Sequence, residues 1–373
     1  MDLWKRSATA LAELIASREV SSVEVIESVL ERVDATNPKL NAITYSLADD
    51  ARAAAFEADQ AVANGEPLGP LHGVPVTIKE NVDQAGHSTP NGLPILANLT
   101  ASEDSPLVTN LKSAGAIVIG RTNTPEFSMR GTTDNPLRGR TYNPWDDETS
   151  PGGSSGGAGA ACAAGMGPIH HGNDIGGSLR FPSFANGVTT IKPSSFRVPT
   201  YNSTWAANRP LLSTIMSCQG IIARHARDVR VTTQAMIAPH PLDPHHVPLP
   251  WDGPDAPERI AFTAESADYP IHDGIVALLY RAADQLRDAG YVVEEVTTPS
   301  MSAAASEWFR AGSTEMQHSL APAIEQYGSA DIQNVFDSYF ELSELLDLQG
   351  YISAMGDRSS CLLYTSPSPR RPY

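Results

Sequence analysis

Gly152-Gly153-Ser154-Ser155-Gly156-Gly157 and Asp174-Ile175-Gly176-Gly177-Ser178 are two glycine-flanked serine clusters on either side of a small-residue apolar segment, Ala158 to Met166. Glycine at such density carries a cost in backbone entropy, and a folded chain keeps it where backbone must come close to something. A hydroxyl beside a row of backbone N–H groups is what acyl transfer needs, a nucleophile and donors for the developing oxyanion. Neither cluster supplies a base. The candidate is Lys79, which ends the apolar run Gly73-Val74-Pro75-Val76-Thr77-Ile78. The chain otherwise favours arginine, and its other lysines, Lys5, Lys39, Lys112 and Lys192, fit ordinary surface or loop positions. A lysine buried at a strand end is pushed toward the neutral form and can then accept a proton. Serine–lysine pairs are an alternative to the histidine triad. Lys79, Ser154 and Ser178 together make a serine hydrolase without histidine possible.

The elements around these residues alternate. Ser21 and Glu24 form a capping box ahead of Val23, Ile26, Val29, Leu30 and Val33, which share one helical face. A second helix is expected from about Leu47 to Ala63, stopping at Gly65. Then come a strand near Val74–Ile78, a helix near Pro106–Ala114, a strand over Ile117–Gly120, a buried helix over Ala158–Met166 and a strand near Pro168–His171. Arg259–Phe262, His272–Ala289 and Tyr291–Val296 read as strand, helix and strand, hence a parallel pair. Pro239 to Pro257 is an excursion rich in proline and aspartate, and Ala303 to about Met355 is mostly helical. The class is α/β, with helices covering a largely buried sheet.

The 373 residues are 41% hydrophobic and 18% charged, with a formal net charge of −17. That balance argues against nucleic acid or an anionic membrane as partner. The first residues are too charged for a signal peptide, and no run is long and apolar enough to span a bilayer. Cys162, Cys218 and Cys361 are too scattered for a disulfide framework or a metal knuckle. The expected compartment is the cytoplasm. His170-His171 and the trio His240, His245 and His246 lack zinc spacing with a third ligand, so they read as loop or supporting residues and no metal is expected. Gly152 to Gly156 also fits G-x-S-x-G, but that elbow needs a strand just before it, and Trp145 to Pro151 is polar and proline-broken. Taken alone, the glycine–serine string is a flexible or capping sequence and a lysine at a strand end is solvated. It is their combination that points to catalysis.

In this combination the chain resembles the amidase signature family. The matching stretches run in order: Gly73 to Asn81, Gly120-Arg121-Thr122-Asn123-Thr124-Pro125-Glu126-Phe127, Thr132-Thr133-Asp134-Asn135, Asn143-Pro144-Trp145, Pro151 to Gly157 and Gly172 to Pro182. Weaker likeness continues to about residue 358. The resemblance implies one amidase-signature domain over residues 1–358, with a mixed, mostly parallel β-sheet core covered by helices on both sides. It implies Ser178 as the acylating nucleophile, Ser154 (preceded by a cis peptide in the family) as proton relay, and Lys79 as base. Backbone N–H groups of Ile175, Gly176, Gly177 and Ser178 would form the oxyanion hole. Ser155, Asp174 and Arg180 would support and order the loop. No cofactor is implied. The expected partner is a small-molecule amide, with a homodimer as the candidate assembly.

Two departures stand out. Phe196 occupies a position where the family usually has glycine, so the turn there is expected to differ. The family domain also continues past residue 360, whereas residues 359–373 read as an artefactual or disordered tail, Cys361 to Arg370 matching the translation of a sequencing adapter. Three functions compete. The first is a stand-alone amidase that releases a carboxylic acid and ammonia or an amine through an acyl-enzyme. The second is the glutaminase subunit of a tRNA-dependent amidotransferase, and the third a non-catalytic truncated fragment.

Overall fold

The computed structural model describes residues 2–205, 209–252, 259–266, 269–297 and 301–365. Part of the proline-rich excursion and the end of the tail, residues 253–257 and 366–373, lie outside them. The chain divides into two compact units, residues 1–249 with 323–335, and residues 250–322 with 336–373.

The first unit carries the chemistry-bearing motifs. It begins with helices α1 (Ala8–Ala16) and α2 (Ser22–Leu40), strand β1 (Ile43–Ser46) and helix α3 (Ala48–Asn64). There follow β2 (Pro75–Lys79), α4 (Pro106–Ser113), β3 (Ile117–Thr122), α5 (Gly156–Ala164) and β4 (Ile169–Asp174). Next are α6 (Arg180–Asn186), β5 (Thr189–Thr190), α7 (Leu211–Met216), β6 (Cys218–Ala223) and α8 (Ala226–Met236). The capping box forms as expected: Ser21 Oγ accepts from the Glu24 N–H, and the Glu24 carboxylate accepts from the Ser21 N–H.

Six strands make one sheet in the order β1-β3-β2-β4-β6-β5. β3, β2 and β4 are mutually parallel, while β1 pairs antiparallel with β3, and β6 antiparallel with both β4 and β5. Four of the strands therefore share one direction, the mixed and mostly parallel sheet expected. Successive side chains of a strand point to opposite faces. Val118 accordingly joins Leu11 and Ile15 of α1, Leu107 and Leu111 of α4 and Val229 of α8 on one face. Its neighbours Ile117 and Ile119 join Ile26 and Val29 of α2, Ala51 and Ala55 of α3 and Ala160 and Ala161 of α5 on the other. The sheet is buried on both sides, which is why β2 and β3 read as continuous apolar runs instead of alternating ones.

In the second unit, β7 (Arg259–Phe262), α9 (Asp273–Asp288) and β8 (Val292–Glu295) form the expected parallel pair. The pair is a separate two-stranded sheet. Along the chain it is followed by α10 (Met301–Ser319), α11 (Ala321–Tyr327), α12 (Ala330–Leu342) and α13 (Leu348–Thr365), of which most of α11 and the start of α12, within residues 323–335, belong to the first unit and the rest to the second. Within the unit, Arg310 donates to Glu344 at 3.0 Å and the Leu346 N–H to Thr314 Oγ1 at 2.9 Å. Helix α13 crosses residue 358, where the sequence pattern suggested the domain's end. Extending a helix needs only one more hydrogen bond per residue, and the first proline, Pro367, comes after its last turn.

Phe196 keeps a left-handed backbone, with φ of 67°. The turn thus retains the conformation that glycine would favour, although phenylalanine replaces it.

Candidate active site

The parallel strands β3, β2 and β4 end side by side, with Lys79 opposite Thr122 in register and Thr77 opposite His170. Ligand sites of such sheets lie beyond these carboxyl ends. Lys79 is the last residue of β2 and is fully buried. Its Nζ lies 2.7 Å from Ser154 Oγ and donates to Asn173 Oδ1 at 2.8 Å. Burial lowers its pKa to about 7, even though Asp174 and Glu80 pull the other way. At neutral pH a large share of the side chain is therefore the free amine.

Ser154 follows a cis peptide bond from Gly153. The turn that carries it is closely gripped. A Cβ at Gly153 would stand 2.2 Å from the Arg130 carbonyl oxygen, so only glycine fits there. Thr133 Oγ1 donates to the Gly152 carbonyl at 3.0 Å and accepts from the Gly156 N–H at 3.1 Å. Ser155 opens α5; its N–H donates to the Ser178 carbonyl at 3.3 Å, and its Oγ is 3.4 Å from both the N–H and the carbonyl of Asn173. This hydroxyl joins the two serine segments through backbone.

Ser178 lies just before α6 and is half-buried. Its Oγ makes no hydrogen bond among the described residues. The loop before it is tied to Asp174, whose carboxylate accepts from the N–H groups of Gly177 at 2.8 Å, Leu179 at 3.0 Å and Arg180 at 3.3 Å. Arg180 adds Nε at 3.1 Å and Nη2 at 2.9 Å. Burial pushes the Asp174 carboxyl up, but Arg180 and the Leu179 and Gly177 N–H groups outweigh it and hold the pKa below the usual carboxylate value. One expectation changes here. The Gly177 N–H is already committed to Asp174, while those of Ile175, Gly176 and Ser178 make no hydrogen bond among the described residues.

Sequence reasoning passed over Asn173. Its side chain accepts from Lys79 and donates to Asn81 Oδ1 at 3.0 Å, and Asn81 donates in turn to Ser128 Oγ at 2.9 Å. No local signal singles it out, because its role depends on β4 lying beside β2. The two histidines belong to β4 and not to a loop. His171 Nδ1 accepts weakly from the Lys79 N–H at 3.4 Å and its Nε2 meets Gln219 at 3.0 Å. His170 Nδ1 meets Thr77 Oγ1 at 2.8 Å. Burial drives both pKa values down to about 3, so both imidazoles are neutral. Among the described residues no group of three or more His, Cys, Asp or Glu side chains is placed to hold a metal ion, and no helix is long and apolar enough to cross a membrane.

Known proteins carry the same architecture. A profile of the Amidase family matches residues 24–360, spanning parts of both units. An indoleacetamide hydrolase of Bradyrhizobium diazoefficiens is 45% identical over 359 residues, covering 96% of this chain and 68% of that protein. A glutamyl-tRNA(Gln) amidotransferase subunit of Salinispora tropica is 33% identical over 331 residues, covering 86% of this chain and 66% of the relative. The chain thus spans about two thirds of the length of these relatives. Among solved structures, a bacterial aryl acylamidase of the amidase signature family superposes with a TM-score of 0.79 at 26% identity, over 96% of this chain and 76% of the other. In sequence and in fold, the chain belongs to the amidase family, enzymes that hydrolyse amide C–N bonds.

Proposed function

We propose that this chain hydrolyses a small carboxamide, in the cytoplasm, through Ser178, Ser154 and Lys79. The observation that carries the reading is the buried Lys79 amine, 2.7 Å from Ser154 Oγ and with a pKa lowered to about 7. A neutral amine has two N–H groups and one lone pair. One N–H is held by Asn173 Oδ1, which leaves the lone pair for the Ser154 proton. Ser178 Oγ attacks the amide carbon and gives its proton to Ser154 Oγ, as the Ser154 proton passes to Lys79 Nζ. The oxyanion is received by the N–H groups of Ile175, Gly176 and Ser178, with Asp174 and Arg180 keeping the loop in shape. The proton returns through Ser154 to the departing nitrogen as the C–N bond breaks. Water then repeats the attack on the acyl-enzyme and releases the acid.

The 45% identity to an indoleacetamide hydrolase supports an arylacetamide-type primary amide, with ammonia as the second product. Phe181 agrees with this. It follows the nucleophile loop, is 42% exposed, and lies against Gly131, so it offers an aromatic surface near the site. The likeness to the amidotransferase relative is more distant, at 33% identity. Ammonia and acid release should be measured from indole-3-acetamide, phenylacetamide, acetamide and glutamine. The arylacetamides should exceed glutamine by about tenfold or more in kcat/KM, which corresponds to roughly 1.4 kcal/mol of transition-state binding. Turnover of glutamine alone would favour the amidotransferase reading.

A further inference from the structure

Glu80 follows Lys79 and turns into the protein, 1% exposed. Its Oε2 accepts from Arg138 Nε at 3.2 Å and from Thr44 Oγ1 of β1 at 3.3 Å, while Oε1 has no partner among the described residues. Beside it lies the Arg121 guanidinium of β3, also 1% exposed, which donates to the Val82 carbonyl at 2.6 Å and leaves Nε and Nη1 unpartnered among the described residues. A buried carboxylate costs several kcal/mol unless compensated, so a chain that needed only packing here would use an apolar side chain.

Arg138 belongs to a loop that closes on itself. Its N–H donates to Asn135 Oδ1 at 2.7 Å, Asn135 Nδ2 reaches Asn123 Oδ1 and the Thr124 carbonyl, and the Thr141 N–H donates to the Thr133 carbonyl at 2.9 Å. Thr133 of the same loop holds Gly152 and Gly156, the residues that bracket Gly153-Ser154. One ion pair therefore links the residue next to Lys79 to the loop that grips Ser154. We propose that Glu80 and Arg138 form a positioning pair for the hydrolysis, holding Ser154 Oγ at proton-transfer distance from Lys79 Nζ. The inference rests on the proposed roles of Lys79 and Ser154.

The Glu80 charge also acts on Lys79. Around the lysine amine lie Ser154, Asn173, Asp174 and neutral His171, with Glu80 next in the chain; around Glu80 lie Thr44, Arg121 and Arg138, and Asp83 faces Arg121. Burial raises the Glu80 pKa, and Arg138 and Arg121 oppose that rise. An ionised Glu80 favours protonated Lys79. Removing that charge makes the amine easier to deprotonate, so the acid limb of activity moves to lower pH.

The test uses the whole chain with a fluorophosphonate probe, reading the labelling rate at Ser178 against pH. Glu80→Gln should lower the plateau rate about tenfold and shift the acid limb down by roughly half a unit, about threefold in the lysine protonation constant. A limb that stays put or moves up would overturn the inference, since a packing role changes the rate alone. Arg138→Ala gives a second reading that does not depend on Glu80→Gln folding. Its labelling should fall and be restored by millimolar guanidinium chloride, which can occupy the vacated place beside Glu80; no restoration contradicts the proposal. Lys79→Ala runs alongside. If it labels normally, the triad reading itself has failed; if it does not label while the Glu80 limb is unmoved, only the positioning pair has.

Discussion

Lys79→Met is expected to lower amide hydrolysis by about 10^3-fold at pH 8 while leaving the fold intact. Methionine keeps much of the length of the lysine stem, so the core around β2 stays filled. The wild-type amine stands fully buried, and an apolar end in its place removes a polar group that burial disfavours. Asn173 Oδ1 loses its shortest donor but keeps the longer contact from Asn81 Nδ2 at 3.4 Å. Stability should therefore shift little while the rate collapses, because neither neighbouring histidine can replace the base. His171 is bound at Nε2 to Gln219 and His170 at Nδ1 to Thr77, and both rings lie deep in the protein. Rates and urea midpoints measured on the same preparations separate chemistry from folding. A residual rate above about a tenth of wild type would move the base to another residue.

Ser178→Ala is expected to abolish covalent labelling by a fluorophosphonate altogether. Three hydroxyls crowd the site, and their surroundings differ. Ser154 Oγ is buried beside Lys79, and Ser155 Oγ is held between backbone groups of Asn173. Ser178 alone is half-exposed, with a hydroxyl unengaged among the described residues and backbone N–H groups of its own loop alongside. Peptide mapping by mass spectrometry should find the adduct on Ser178 in wild type and in Ser155→Ala. An adduct that survives Ser178→Ala and disappears in Ser155→Ala would reassign the nucleophile.

Much of the site's framework is legible in the chain because it is local. The apolar run before Lys79 announces a buried strand, and the structure ends β2 on that lysine. The small residues after Ser155 announce a helix packed close on all sides, and α5 is buried nearly throughout. What could not be read depends on pairings distant in sequence. Asn173 reaches Lys79 only because β4 lies beside β2, although α4, β3 and α5 come between them in the chain. Glu80 and Arg138 meet across a loop whose polar residues resemble any surface connection until its hydrogen bonds are traced. The commitment of the Gly177 N–H to Asp174 is likewise invisible to a motif, which cannot tell which donors of a glycine-rich loop point inward. The separate β7–β8 sheet has the same cause, since a strand–helix–strand pattern implies a parallel pair without saying which sheet it joins.

The central claim is that a neutral lysine drives acylation through Ser154. The most direct measurement is the single-turnover rate of Ser178 acylation by an arylacetamide between pH 5 and 9. With the Lys79 pKa lowered to about 7, the free amine is scarce at pH 5 and dominant at pH 9. The rate should therefore rise with pH as one proton is lost, reach half its plateau near pH 7, and lose that limb in Lys79→Met. A rate still climbing at pH 9 toward the ordinary lysine range of about 10.4, or one that falls as pH rises through 7, would contradict the account.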